Sequence, residues 1–281
     1  MPLDTAGESR VVHIYVLGAS SDPDHVGCVV PWEVDHQEIF FGPCKKSLRQ
    51  RLRNTVLRGQ DEVVPASDIF VIGVNALPTP HGPRKIVWAG RINKIMTFAR
   101  AFDRLVGDRY EKMRKVDFSP LNVEPVRGPD GQLVGYQFRP NGDHPEEWHR
   151  DLVTTGRGTT LVGDRLLLNP GVSAGAAFVR DAVFTADNLF FARGKGLQID
   201  DELVDILKQA QPAGEGVDQI GIFGRRSGVP DGLRGRFLSI SEPGLVQRVL
   251  SYIRDRCPAP TMAVPATSAA ASKTRSGGTC G

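Results

Sequence analysis

Two apolar segments in the first hundred residues place the strongest constraint on the fold. Residues 68–74 (DIFVIGV) and 85–96 (KIVWAGRINKIM) are rich in valine and isoleucine, and β-branched side chains pack well on the pleated surface of a sheet. The stretch between them, residues 77–83, contains three prolines and a glycine, which interrupt regular structure and initiate turns. The pattern predicts two strands connected by a loop.

Further strands are predicted along the rest of the chain. Residues 11–17 (VVHIYVL) form a β-rich run that ends at a glycine, and residues 126–138 are typical of a hairpin because Gly128-Pro129-Asp130-Gly131 is a strong turn signal. Residues 161–169 and 176–184 are also expected to form strands. The chain has 31 glycines and 20 prolines, and this supply of turn residues favours a strand-rich body over a helical bundle.

Helices are predicted where apolar residues recur every three or four positions. Leu48, Leu52 and Val56 mark the apolar face of a helix over residues 44–58. The other helices are expected at 97–106, capped by Thr97, at 200–211, capped by Asp200 or Asp201, and at 243–256. Strands and helices alternate loosely and never form a regular βαβ series. The expected fold class is therefore α+β, with a mixed, mostly antiparallel barrel or curved sheet and several peripheral helices.

A single compact domain is expected over residues 11–256. The chain is 40% hydrophobic and 24% charged, which lies in the ordinary globular range. Residues 1–10 are polar and are expected to be a flexible N-terminus. Residues 257–281 are rich in Ala, Ser, Thr, Pro and Gly. This segment has too little apolar surface to offset the entropy of ordering, so a disordered tail is expected.

The sequence predicts a cytoplasmic protein with no membrane partner. No apolar run approaches the roughly 20 residues that cross a bilayer, and the N-terminus lacks the apolar core of a signal peptide. Reduced thiols are expected in that compartment. A zinc site built from Cys28, Cys44, His25 and His36 is conceivable, but the spacing matches no zinc-finger pattern. No metal and no cofactor are expected.

The sharpest local feature is the charge of the 44–58 helix. It holds six basic residues and no acidic one: Lys45, Lys46, Arg49, Arg51, Arg53 and Arg58. The spacing of Lys45, Arg49 and Arg53 predicts a basic stripe beside the apolar face, and the helix N-terminus adds to the positive field. Since phosphates are the natural partners of such a surface, Lys45, Lys46, Arg49 and Arg53 are candidate ligands for phosphate or nucleic acid. The alternative is a solvated face that pairs with acids elsewhere in the fold.

Three residues in or beside the two central strands are candidates for contacting a base. Trp88 could stack on a flipped base, although a tryptophan in a strand is more often part of the core. Asn75 and Asn93 each offer a hydrogen-bond donor and an acceptor, as the edge of a base requires, although each alone is more often a turn residue. Basic, glycine-bearing segments at 193–196 and 225–236 would contribute only if they lie beside the basic helix.

Catalytic residues are not identified by the sequence. The chain has no G-x-S-x-G, H-E-x-x-H, Walker A or Rossmann fingerprint. Histidines and carboxylates crowd two regions, at 22–36 and 144–149. These groups could support acid–base chemistry, but polar loops commonly carry such residues.

The order of several motifs resembles the second family of nucleotide-modification-associated domains. The resemblance is carried by Cys44-Lys45-Lys46-Ser47-Leu48-Arg49, by the glycine-ended strand at 68–73, by the strand that runs into Met96-Thr97-Phe98, and by Asp187-Asn-Leu-Phe-Phe191. Lys46 stands where the family has proline, and Val217 and Asp218 stand where it has a histidine. The resemblance covers roughly residues 11–220. It implies a PUA-like barrel and a link to DNA base modification, often in phage or defence systems.

Together these features predict a protein that binds a modified nucleotide or nucleic acid in association with DNA base modification. Two alternatives stay open. One is an enzyme that acts on a nucleobase or nucleotide, with a loop carboxylate or histidine as acid or base. The other is a protein–protein scaffold whose basic helix binds an acidic partner.

Overall fold

The structure is a computed structural model that describes nine stretches of the chain. They are residues 10–16, 31–42, 45–74, 85–114, 121, 123–138, 153–192, 196–210 and 237–256. These stretches contain both strands and helices, and the strands form two separate sheets. The predicted α+β class is confirmed.

The larger sheet contains both central strands predicted from the sequence. Its nine strands within the described residues are β1 (Arg10–Val16), β2 (Trp32–Glu33), β3 (Glu38–Phe41), β4 (Glu62–Val63), β5 (Asp68–Val74), β6 (Lys85–Met96), β11 (Val183–Phe191), β12 (Leu197–Gln198) and β13 (Phe237–Ile240). The order is β13-β1-β5-β6-β11-β3-β2, and the short strands β4 and β12 pair with β6. Strands β1 and β5 are parallel, whereas the other pairs are antiparallel.

The barrel form of the prediction is not found among the described residues. The larger sheet has two free ends, β13 and β2, which do not pair with each other. It is therefore a mixed, mostly antiparallel open sheet. The described helices also include none long and apolar enough to cross a membrane.

The smaller sheet consists of two hairpins. Its strands are β7 (Val123–Arg127), β8 (Leu133–Phe138), β9 (Thr159–Val162) and β10 (Arg165–Leu168), in the order β7-β8-β10-β9. Gly131 and Gly163 take positive φ angles of 78° and 60° at the two turns, a conformation that glycine adopts without strain. The single strand predicted at 161–169 is wrong, because the turn at Gly163 divides it into two.

Six α-helices with described bounds accompany the sheets in the described stretches of the chain. They are α1 (Lys46–Leu52), α2 (Phe98–Arg104), α3 (Asp108–Arg114), α4 (Ala174–Ala177), α5 (Asp201–Gln209) and α6 (Pro243–Arg256). Thr97 and Asp200 cap α2 and α5 as predicted, each accepting a hydrogen bond from a backbone N–H three residues ahead. The strand predicted at 176–184 is wrong over its first part, because Ser173 caps the short helix α4 and β11 begins only at Val183.

The two faces of the larger sheet differ in chemistry. Because successive side chains of a strand alternate, β11 carries Phe184 on one face, the aromatic face, and Thr185 and Asp187 on the other, the ionic face. On the aromatic face the Phe184 ring stacks on Phe41 at 4.6 Å between centroids, and Phe41 lies 5.8 Å from Trp88. On the ionic face Arg91 pairs with Asp187 at 2.6 Å.

Candidate nucleic-acid interface

The helix predicted at 44–58 forms, with an irregular second half. It starts after Lys45, whose φ of 59° is left-handed, and α1 continues into a π-helical turn, Arg53–Leu57, that ends at Arg58, again left-handed with φ of 47°. Wider π turns of this kind are frequent at functional sites. Leu48, Leu52 and Leu57 are fully buried in the core of the larger sheet.

The basic stripe predicted along this helix lies on its inner side. Lys45, Arg49 and Arg53 are 7%, 1% and 8% exposed, so they present almost no surface to solvent. The ammonium of Lys45 lies over the Tyr15 ring, which places this end of the helix on the aromatic face. Arg49 donates a hydrogen bond to the Arg180 carbonyl at 2.5 Å and lies over the Phe98 ring. The prediction of an exposed stripe is corrected, because the helix is covered on two sides.

A buried carboxylate accompanies the two inner arginines. Asp181 accepts hydrogen bonds from the Phe98 amide at 2.7 Å and from the Tyr136 hydroxyl at 2.5 Å. Burial raises the pKa of Asp181 to about 6, while both hydrogen bonds and the charges of Arg53 and Arg49 act in the opposite direction. This cluster joins the basic helix to α2 and to the smaller sheet, so the inner arginines have a structural role.

The outer side of the same helix is also basic. Arg51 and Arg58 are exposed and Lys46 is partly exposed, and the polar residues Asn54 and Thr55 lie between the two arginines. The Nε–H of Arg58 donates to the Thr55 carbonyl at 2.9 Å, which holds its guanidinium against the helix end. Within the described part of the chain, no carboxylate lies at ion-pair distance from Arg51 or Arg58. The sequence from 45 to 60 contains no acid either.

Arg51 rests on an aromatic ring of the edge strand β13. Its Cζ lies 5.8 Å from the centroid of Phe237. Phe237 is the first described residue after the segment 211–236, which carries Arg225, Arg226, Arg234 and Arg236. The chain therefore leaves this basic segment at a residue that contacts the basic helix.

Trp88 lies in the core and not at a surface. It is 1% exposed, and its Nε1–H donates to the Tyr15 hydroxyl at 2.9 Å. A base could not stack on this ring without displacing the core, so the predicted contact is corrected. Both faces of the sheet are covered here, which is why a strand residue of this size is fully enclosed.

Asn93 occupies a β-bulge between β6 and β11, where the register shifts between Thr185 and Ala186. Its amide donates to Asp187 at 3.3 Å and accepts from the Thr185 hydroxyl. These partners lie on the ionic face, opposite the basic helix. The structure therefore does not unite Asn93 with the predicted phosphate ligands, and Asn75 lies outside the described residues.

Sequence reasoning missed the outer arginines as a pair, although a signal for them existed. Seven residues separate Arg51 and Arg58, and in a regular α-helix this spacing of about two turns would place both on one side, away from the leucines. The π-helical turn between them changes that angle, but both side chains are exposed. Phe237 had no comparable signal, because it approaches Arg51 only through the pairing of the last strand with the first.

The structure tests little of the predicted loop chemistry. Most residues of the two His/acid regions, together with Cys28 and Cys44, lie outside the described residues. Asp35 is described, and it pairs with Arg109 at 2.5 Å. Among the described residues, no group of three or more His, Cys, Asp and Glu side chains could hold a metal ion.

Comparison with protein-family models, with curated proteins and with solved structures gives no match to this chain. The resemblance to the nucleotide-modification-associated domains therefore rests on the sequence motifs alone.

Proposed function

We propose that this protein binds nucleic acid through the outer side of the basic helix, with Lys46, Arg51 and Arg58 contacting phosphates. The observation that carries the proposal is the pair of exposed arginines, Arg51 and Arg58, on a helical stretch without any acid. Arginine suits this role because its planar guanidinium matches phosphate geometry with two hydrogen bonds.

The buried side of the helix supports the proposal by fixing the outer side in place. Arg49 and Arg53 are buried and donate hydrogen bonds to the carbonyls of Arg180 and Gln60, and the three leucines pack on the sheet. A ligand site on such a rigid element loses little conformational entropy when it binds. The resemblance to the nucleotide-modification-associated domains supports modified bases as part of the ligand, and we include them in the same proposal.

The test measures binding of fluorescent DNA and RNA oligonucleotides, with and without modified bases, by anisotropy at several salt concentrations. The double variant Arg51→Ala, Arg58→Ala should reduce the slope of log affinity against log salt by about 1.4–1.8, since each lost phosphate contact removes about 0.7–0.9. The matched control is Arg104→Ala, Arg254→Ala, which removes the same charge from exposed positions elsewhere.

The control variant should retain the wild-type slope within about 0.3, well below the loss of a single contact. Equal losses in both double variants would mean that net charge, and not this surface, governs binding. Absence of binding by the wild type at low salt would refute the proposal.

The same basic surface also suits an acidic protein segment, which is the scaffold alternative. A polyglutamate peptide distinguishes the two in competition with an oligonucleotide at physiological salt. Displacement of the oligonucleotide only at large peptide excess supports nucleic acid as the ligand, whereas displacement at equal charge concentration supports an acidic partner.

A further inference from the structure

Three side chains pack one on another on the aromatic face at the β1–β13 edge: His13 forms the lowest layer, Phe237 the middle layer and Arg51 the outer layer. The His13 ring meets the Phe237 ring edge-on, with 5.3 Å between centroids and an interplanar angle of 87°. Arg51 lies over Phe237 at 5.8 Å, within the range of a cation–π contact. His13 is held by a 2.9 Å hydrogen bond between its Nδ1 and the Ser239 hydroxyl.

The layers change in exposure from inside to outside. His13 is 3% exposed, Phe237 is partly buried and Arg51 is exposed. Burial, together with the charge of Arg51, lowers the pKa of His13 to about 4. The lowest layer is therefore uncharged at neutral pH, and it supports Phe237 without repelling the cation above it.

A guanidinium is planar and delocalised, so a ring can pack against each of its two sides. Phe237 is positioned against one side of Arg51. Among the described residues, no other aromatic ring and no carboxylate contacts Arg51. The second side of its plane suits a flat, electron-rich group, and unstacked nucleobases commonly pack on arginine planes in this way.

We propose that Arg51, seated on Phe237, stacks on an unpaired base of single-stranded nucleic acid. The inference rests on the proposed nucleic-acid function, and it adds that the surface prefers a single strand to a duplex. Bases in a duplex are stacked on one another and present only their edges, so a duplex offers Arg51 phosphates and base edges. A single strand offers it an exposed base face in addition to a phosphate. Arg58, which no described aromatic ring supports, acts as a phosphate ligand for both strand forms.

The test compares Arg51→Lys with Arg58→Lys, because lysine retains the charge and loses the planar surface. Affinity is measured for a single strand and for the duplex of the same sequence at fixed salt. Arg51→Lys should weaken single-strand binding by about tenfold, within the range known for loss of one base stack, and should change duplex binding by less than about twofold. Arg58→Lys should change both by less than about twofold.

Phe237→Leu supplies a second variant, since it keeps an apolar side chain and removes the ring. It should weaken single-strand binding in the same direction while Arg51 keeps its charge. Circular dichroism at the assay temperature establishes that each variant is folded. If Phe237→Leu does not fold, Arg51→Lys carries the test alone, because it alters only an exposed side chain.

The outcomes separate this inference from the proposed function. If Arg51→Lys weakens the binding of single strand and duplex equally, or changes the binding of neither, the stacking inference is overturned. Phosphate binding still stands in that case if the double alanine variant loses salt dependence. If the wild type binds no oligonucleotide, both proposals are wrong.

Discussion

Gly73 and Trp88 provide a sharp test of the packing on the aromatic face. The two residues are direct neighbours across β5 and β6. A Cβ atom placed on Gly73 would lie 2.1 Å from Trp88 Nε1 and 2.4 Å from Trp88 Cδ1. The indole cannot simply move aside, because its Nε1–H is bonded to the Tyr15 hydroxyl and its ring packs against Phe41. We therefore expect Gly73→Ala to displace the indole and to destabilise the fold.

The magnitude follows from two contributions. Forcing one extra methyl group into a packed core costs about 1–3 kcal/mol. Moving the indole also breaks a buried hydrogen bond, and a donor left without a partner costs about 1–3 kcal/mol. The free energy of unfolding of Gly73→Ala should therefore fall by about 2–6 kcal/mol, which is the sum of the two contributions.

Urea unfolding followed by far-ultraviolet circular dichroism measures this change and does not depend on tryptophan fluorescence. Gly175→Ala is the matched control, because a Cβ on Gly175 would meet no atom within 4 Å. Gly175 also lies inside α4, where alanine is favoured over glycine by up to about 1 kcal/mol. The control should be neutral or slightly stabilising.

A double-mutant cycle with Trp88→Phe tests the cause. Phenylalanine lacks the pyrrole atoms that the new methyl group meets, so adding Gly73→Ala to Trp88→Phe should cost at least about 1 kcal/mol less than adding it to the wild type. Additive effects, or a Gly73→Ala midpoint equal to that of the wild type, would refute the argument that these two side chains compete for one space.

Three further predictions concern the buried ionisable side chains. Arg53→Ala should lower the free energy of unfolding by about 1–3 kcal/mol, whereas Arg51→Ala should change it by less than about 0.5 kcal/mol; equal losses in urea unfolding would contradict the inner and outer assignment. The pKa of His13 is lowered from 6.5 to about 4, so its contribution to stability is complete above pH 6.5 and is lost as the pH falls to about 4. His13→Gln should remove about 3 kcal/mol of that acid-side loss, and an unchanged pH profile of unfolding would contradict it. The pKa of Asp181 is raised from 3.8 to about 6, so its contribution is complete below pH 3.8 and is lost as the pH rises through 6; Asp181→Asn should lack that decline, and a decline of wild-type size in its pH profile would argue against the burial of this carboxylate.

Strands and caps were predictable where the signal is local. The strands at 68–74 and 85–96 match β5 and β6 to the residue, because β-branched composition and the flanking prolines specify them without reference to the rest of the chain. Thr97 and Asp200 cap their helices for the same reason: the capping hydrogen bond spans only three residues.

The side of the basic helix that faces solvent was not predictable in the same way. The leucines indicate which direction points to the core, but not how wide the buried arc is. Asp181, Tyr136 and Phe98 cover a second side of the helix, and these residues come from distant parts of the sequence. Arg49 and Arg53 are enclosed for that reason, and Lys46, Arg51 and Arg58 remain outside.

The candidate base contacts depended on tertiary structure even more strongly. The alternation of a strand gives the face on which Trp88 lies, but it cannot tell that both faces are covered. Asn93 is oriented by a bulge that exists only because β11 shifts register against β6. A single sequence carries no signal for such a shift, so the placement of this amide on the ionic face had to come from the structure.

The pairing of β1 with β13 has a consequence for how the chain is made. The first strand of the larger sheet lies between β5 and the last strand, so one of its two edges has no partner until residues 237–240 have been synthesised. During translation that edge presents a row of unpaired backbone groups, which is a template for association with other chains. Completing the sheet also closes a loop of nearly the whole described chain, and contacts of such long range make folding slow. The protein should therefore acquire its final stability, and the Phe237 support beneath Arg51, only after β13 has been synthesised and has paired with β1.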